Sequence, residues 1–145
     1  MSGAAQEPVF WFDHTRPLFE PLGCVDARRR GKWVWVSAQA GIDDQLVALD
    51  GLATQSARAF HQLRTAFEAA GGDSAAVCQL TVYVQTALFE GSLAEASSVV
   101  FAQWRSIFPD GGTTATLIGS QMFGIPKLFL EVHCMGRALK EHLPA

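Results

Sequence analysis

Two side chains near the end of the sequence could move a proton between them. Glu131 and His133 are two residues apart in a segment whose composition and alternation are typical of a β-strand. Side chains at that spacing lie on the same face of a strand, with Cα atoms about 7 Å apart. A carboxylate beside an imidazole can hold the ring's tautomer and raise its pKa toward neutrality, so the pair is a candidate for proton transfer. A structural alternative stays open, in which the two side chains satisfy each other's hydrogen bonds at an interface.

The other reactive side chains do not indicate metal or thiol chemistry. Cys134 alternates with the pair on the predicted strand and is expected in the core. His14 and His61 lack partners at a metal-ligand spacing, so both are expected to be solvated, and neither a metal nor another cofactor is predicted. Three cysteines without a CxxC pair favour neither a disulfide framework nor a zinc site.

Composition bounds the class of protein. The chain has 145 residues, of which 49% are hydrophobic and 17% charged, which predicts one folded domain. The formal net charge of -3 provides no general surface for a phosphate backbone, so nucleic acid is not an expected partner. The basic run 28–30 is interpreted as a solvated turn. We find no signal peptide and no run apolar enough to span a membrane, and we therefore expect a cytoplasmic protein without a membrane partner.

Hydrophobic periodicity predicts strands and helices in a definite order. Apolar steps of three and four residues favour a first helix over 52–70, with Asp50 at its N-cap and Gly71 at its end, and a second over 93–107. Prolines in the aromatic N-terminal segment argue against a helix there. Strands are predicted over 33–37, 77–86, 113–123 and 128–135, with 23–27 as a weaker hairpin partner of the first.

This order predicts an α/β (α+β) domain in which two helices cover a single sheet. The segments 33–36 and 128–132 carry apolar residues on both alternate faces, whereas two helices can cover only one face of a sheet. The second face needs another layer. Since no further layer remains in the chain, we infer a homo-oligomer.

The motifs, taken in order, resemble the Rid (reactive intermediate deaminase) family, which is also called YjgF-like or L-PSP endoribonuclease-like. The resemblance rests on the segments 34–39, 55–71, 81–84, 100–109 and 119–132. It implies a chorismate-mutase-like fold with a single sheet of about six strands and two helices on one face. It also implies a homotrimer with small-molecule clefts between subunits. The chain then divides into an N-terminal arm (1–22), a Rid-like domain (23–138) and a C-terminal tail (139–145).

The resemblance also implies site residues. In the deaminating members, an arginine holds the carboxylate of a 2-imino or 2-enamino acid, and matching the segments places Ala115 at that arginine's position. Replacing a charge-assisted pair by a methyl group loses about 1.5–3 kcal/mol net. The family's cleft asparagine matches Ser98, Thr116 follows Ala115 in the cleft segment, and the acidic residue that orients water matches Glu131.

Three functions follow as alternatives. The first is an enzyme acting on a small imine, enamine or related metabolite, with ordinary 2-imino acid deamination doubtful because Ala115 replaces the arginine. The second is a catalytically silent trimer that binds a small molecule or regulates. The third is a ribonuclease, which the acidic charge disfavours.

Overall fold

Six strands form one sheet in the part of the chain that the computed structural model describes, residues 7–110, 112–121 and 124–140. The strands are β1 (Val9–Phe10), β2 (Ala27–Arg30), β3 (Trp33–Ala40), β4 (Gly72–Gln85), β5 (Thr114–Ser120) and β6 (Leu130–Ala138). Their order across the sheet is β1-β2-β3-β6-β4-β5, and only the β4–β5 pair is parallel. The last strand therefore lies in the middle of the sheet, which confirms the predicted α+β class.

Three helices accompany the sheet: α1 (Arg16–Phe19), α2 (Leu52–Ala69) and α3 (Leu93–Ile107). The two long helices match the predicted periodicity, and α3 begins with a capping box in which Ser92 and Glu95 bond each other's backbone amides. The predicted N-cap at Asp50 is wrong, because Gly51 occupies that position with a φ of 85° and no side-chain cap. Among the described residues, no helix is long and apolar enough to cross a membrane.

The two long helices cover one face of the sheet. The α2 helix packs against β2, β3, β4 and β6, and also against α3. Its buried Phe60, Leu63 and Phe67 meet inward-facing valines and leucines of the strands, and Trp104 of α3 packs edge-on against Phe60. Burial of these large side chains provides the main stabilisation of the fold.

The interpretation of Arg28–Arg30 as a turn is wrong. Together with Ala27 these residues form β2, which pairs in register with Trp33–Val36, and the turn consists of Gly31 and Lys32. A two-residue connection needs left-handed backbone, which Gly31 supplies with a φ of 57°. The strand that pairs with β3 thus lies further toward the C-terminus than the predicted segment 23–27, of which only Ala27 belongs to β2.

The N-terminal segment is joined to the sheet and contains a short helix, which the prolines had argued against. Pro17 lies in the first turn of α1, where a missing N–H is tolerated. The segment is held by the buried carboxylate of Asp26, which accepts hydrogen bonds from the Phe12 backbone N–H (3.0 Å), the Thr15 hydroxyl and the Gln39 amide (3.0 Å).

Another buried side chain, Gln55 of α2, joins two loops beneath the sheet. Its amide nitrogen donates to the carbonyl oxygens of Leu49 (2.7 Å) and Lys127 (3.0 Å), and its oxygen accepts from the Phe129 backbone N–H (2.7 Å). Gly41 packs so closely on Gln55 that a Cβ at position 41 would overlap it. The loop that leads into β6 is therefore anchored to α2.

We predict that Gln55→Leu keeps the buried volume but lowers the free energy of unfolding by about 2–4 kcal/mol, because two carbonyls and one N–H lose their partner. Urea unfolding measures the loss. Gln45→Leu, at an exposed loop position, is the matched control and should change stability by less than about 0.5 kcal/mol. Equal stability of the two variants would contradict the anchoring role.

Candidate functional site

The face of the sheet opposite α2 and α3, called the open face below, carries large side chains. Val34 and Val36 are buried beneath the helices, so the alternating Trp33 and Trp35 lie on the open face, where they are 39% and 42% exposed. Ile118 of β5 shares this face with 38% exposure, because it pairs with Tyr83 rather than with a core residue. Large apolar side chains therefore lie on both faces of the sheet, as the sequence predicts, and within the described ranges the long helices cover only one of them.

Glu131 and His133 lie side by side on the open face, near the middle of the sheet. Both are half-buried and alternate with the buried Leu130, Val132 and Cys134. Across the β4–β6 ladder, Glu131 pairs with Tyr83 and His133 pairs with Thr81. The sequence predicts that Glu131 and His133 lie together, because they share a strand.

Tyr83 is a site residue that sequence reasoning missed. Its ring is stacked on the imidazole of His133, with 5.6 Å between ring centroids and 20° between planes. The residue lies in a strand that the sequence did predict. However, the contact depends on the β4–β6 register, which residue spacing along one chain does not specify.

Burial moves the pKa values of this pair in opposite directions. Loss of solvent raises the pKa of Glu131 and lowers the pKa of His133. The expectation that Glu131 raises the pKa of His133 is therefore wrong. In the described part of the chain the carboxyl group of Glu131 makes no hydrogen bond or ion pair, so desolvation acts on each group separately. Burial therefore disfavours the charged form of each group.

A hollow of about 180 Å³ lies next to this pair on the open face. His133, Thr81 and Gln79 contribute polar groups to its lining, while Trp35 and Met135 contribute apolar surface. The mixture of an aromatic wall with a few polar groups is typical of sites for small molecules, although the hollow holds only part of such a ligand.

The three predicted binding residues occupy different places. Thr116 shares the row of Thr81 and His133 across β5, β4 and β6, and so lies on the open face. Ala115 pairs with Leu80, whose side chain is buried on the helix side, so Ala115 lies on the other face from Glu131. Ser98 is exposed on α3, where its hydroxyl donates to the Ala94 carbonyl (3.2 Å).

One subunit therefore brings together Glu131, His133 and Thr116 but not Ser98 or Ala115. A site that contains Ser98 as well would need residues from a second copy of the chain, because the body of the domain separates α3 from the open face.

The weaker candidates are also resolved by the structure. Cys134 is buried on the helix side, as predicted, and desolvation raises the pKa of its thiol far above the usual range. His61 is exposed on α2, which fits the solvated interpretation. That interpretation is wrong for His14, whose side chain is 11% exposed and lies with Nδ1 3.7 Å from Asp44.

Chemically, the open face offers an acid and a base: a carboxyl group whose pKa is raised by burial and an imidazole whose pKa is lowered by it. These are the two requirements for adding water across a polarised double bond. The adjacent hydroxyl groups of Thr81 and Thr116 can orient a bound molecule by hydrogen bonds.

Comparison with known proteins shows what this fold resembles. No protein-family model matches the chain, and no curated protein matches it. Solved structures do match, among them a YjgF/YER057c/UK114 family member from Mycobacterium tuberculosis, with a TM-score of 0.70 and 17% identity over 90% of this chain and 98% of that one.

Two further matches have the same fold. RidA from the Antarctic bacterium Psychrobacter has a TM-score of 0.66 and 19% identity over 79% of this chain and 87% of its own. TdcF of E. coli, solved with bound serine, has a TM-score of 0.67 and 14% identity over 80% and 88%. These matches confirm the resemblance to the Rid family, and the chorismate-mutase-like architecture, at the level of the fold.

The opposite pKa shifts lead to a prediction about stability and pH. Because the folded state raises the pKa of Glu131, the folded protein holds that proton more tightly, and stability falls as pH rises from below the unfolded value of 4.5 through the folded one. We expect Glu131→Gln, which cannot ionise, to unfold at a higher temperature than wild type at pH 7 and to lose this advantage near pH 4.

The comparison uses thermal unfolding at a fixed protein concentration. Glu90→Gln, which removes an exposed carboxylate, is the control and should show no such pH-dependent difference. If the unfolding temperature of wild type instead rose relative to that of Glu131→Gln as the pH increases, the result would contradict the desolvation argument.

Proposed function

We propose that this chain is a divergent member of the Rid family that acts on a small imine, enamine or related reactive metabolite in a cleft between the subunits of a homotrimer. One observation carries the proposal. On a fold shared with Rid proteins, Glu131 and His133 lie together on the open face, and burial biases both toward the protonation states needed for hydration.

The open face supports the trimer. Trp33, Trp35 and Ile118 are large apolar side chains that a soluble domain rarely leaves uncovered in one area. A second copy of the chain is the available cover, and closed symmetry lets every copy bury the same surface. Association would also bring Ser98 of one subunit toward the open face of another, which completes the proposed cleft.

The proposed chemistry is addition of water to a C=N bond. The protonated form of Glu131, which burial favours, donates its proton to the imine nitrogen while His133 accepts a proton from the attacking water, whose oxygen bonds to carbon. Collapse of the resulting carbinolamine breaks the C–N bond and releases ammonia and a carbonyl compound. Protonated His133 returns its proton to the departing nitrogen, and the proton that the carbinolamine hydroxyl loses returns to Glu131.

Ala115 restricts the substrate. Its methyl group cannot bind a carboxylate, and it lies on the helix side of β5 within one subunit. Ordinary 2-imino acids should therefore be poor substrates, and the substrate class shifts to imines or enamines that need no carboxylate clamp at this position. The fold equally suits a silent small-molecule-binding trimer, while the net charge of -3 makes a ribonuclease the least supported alternative. We expect the protein to work in the cytoplasm.

Light scattering or ultracentrifugation at micromolar concentration should give about three times the chain mass of 15.7 kDa. Replacing Trp35 with glutamate should shift the mass toward that of one chain, because a charge in the covered surface is costly to bury. Replacing the exposed Leu88 with glutamate is the control and should leave the mass unchanged. A monomeric wild type would contradict the covering of the open face.

Activity tests the pair directly. Imines generated in situ by amine and amino-acid oxidases serve as substrates, and formation of the carbonyl product above the rate in buffer is measured. We expect turnover of imines without a carboxylate to fall about 100-fold or more in Glu131→Gln or His133→Phe with the oligomer intact.

Glu90→Gln should retain full activity. If wild type accelerates no imine, the silent binding trimer replaces the enzyme. Fast hydrolysis of ordinary 2-imino acids would instead contradict the role given to Ala115.

A further inference from the structure

Basic residues from two distant segments meet at one end of the sheet. Strand pairing places Arg137 of β6 beside Trp33 of β3, and the Ala138 N–H donates to the Lys32 carbonyl (2.9 Å) at the β2–β3 turn. The group called the basic end consists of Arg28, Arg29, Arg30, Lys32, Arg137 and Lys140. The pairing thus adds two cations from the last strand and its continuation to the basic run.

A hollow of about 380 Å³ lies at the basic end. Four cationic side chains line it, those of Arg29, Lys32, Arg137 and Lys140, together with Ala138 and Leu139. Among the described residues no carboxylate lines this hollow, although Glu7 accepts a hydrogen bond from the Gly31 backbone N–H (2.7 Å) at the neighbouring β2–β3 turn. The adjoining hollow on the side of β4 includes Asp73, which marks the border of the positive region.

Outside the basic end, arginines with close acidic neighbours are neutralised by them. Arg16 pairs with Glu20 (2.8 Å), and Arg64 pairs with Glu68 (2.7 Å). Within the described ranges, by contrast, Lys32, Arg137 and Lys140 form no ion pair, and Arg137 instead lies over the Trp33 ring at 5.9 Å. The charges of Lys32, Arg137 and Lys140 are therefore available to a ligand at the hollow.

The charge is also concentrated relative to the whole chain. The basic end holds six of the eleven basic residues, whereas the chain as a whole carries fourteen acidic ones, of which Glu7 and Asp73 lie at or beside this end. A molecule with this polarity attracts an anion to one end and repels it elsewhere, which raises the local anion concentration at the hollow.

We propose that the hollow at the basic end binds a compact polyanion, the phosphate or diphosphate group of a small molecule. Guanidinium groups match phosphate oxygens in paired hydrogen bonds, and ammonium groups add point charges. Lys32, Arg137 and Lys140 together provide three positive charges for such a group. Arg137 is four residues from His133 along β6, about 13 Å, so this site is separate from the one proposed for imines.

An extended nucleic acid fits this surface poorly. The cations converge on one concave region instead of following a strip, and the acidic remainder of the chain would repel a long phosphate backbone. A short molecule with two closely spaced phosphates meets the cations without meeting that repulsion.

Titration calorimetry with inorganic pyrophosphate tests the site on the full chain. The double variant Lys32→Gln, Lys140→Gln removes two lining cations, and Arg105→Gln, Lys127→Gln removes two exposed cations elsewhere. We expect the first double variant to weaken binding about tenfold or more and the second by less than about twofold. Binding should also weaken between about 50 and 200 mM salt.

Absence of pyrophosphate binding to wild type, or equal weakening in both double variants, would overturn the proposal. Binding of a short single-stranded oligonucleotide in preference to pyrophosphate would replace it with a nucleic-acid surface. Circular dichroism of each variant checks that the fold is retained. Imine turnover by Glu131 variants is not part of this test, so its outcome is independent of the proposed enzymatic function.

Discussion

A single sheet with two apolar faces and only two long helices is the constraint on which the rest of this structure depends. Packing of Phe60, Leu63 and Phe67 against the strands covers one face of the sheet and leaves Trp33 and Trp35 exposed on the other. The open face therefore combines exposed aromatic surface with the half-buried Glu131 and His133. Its apolar area favours association, and its polar centre offers chemistry in the same place.

Buried polar side chains make this arrangement rigid. Gln55 satisfies three backbone groups in the loops around α2 and the start of β6, and Asp26 holds the N-terminal arm against β3. Both regions also have apolar contacts, those of Phe10 and Phe12 with the main core and those of Ile42 and Leu128 in a smaller cluster, and the hydrogen bonds fix the position of the backbone. The site strand β6 is thereby held between β3 and β4 with its loop anchored.

Along β6 the character of the open face changes within a few residues. Glu131 and His133 lie where burial suppresses charge, whereas Arg137 lies at the sheet's end, where charge stays exposed. One strand can therefore serve two kinds of ligand, a polarised small molecule at its centre and an anion at its end. The separation follows from the strand's length, since each residue adds about 3.3 Å.

The sequence by itself determined the class of fold, the two long helices and the sharing of one face by Glu131 and His133, because each of these depends on local periodicity. It misplaced β2 because a run of three arginines has the composition of a turn, while cross-strand pairing with Trp33–Val36 overrides that preference. Only the tertiary structure decided that Tyr83 stacks on His133, that Ala115 lies on the other face from Glu131, and that Arg137 joins the basic run. Each of these depends on strand register, and register is decided by which residues the completed core buries.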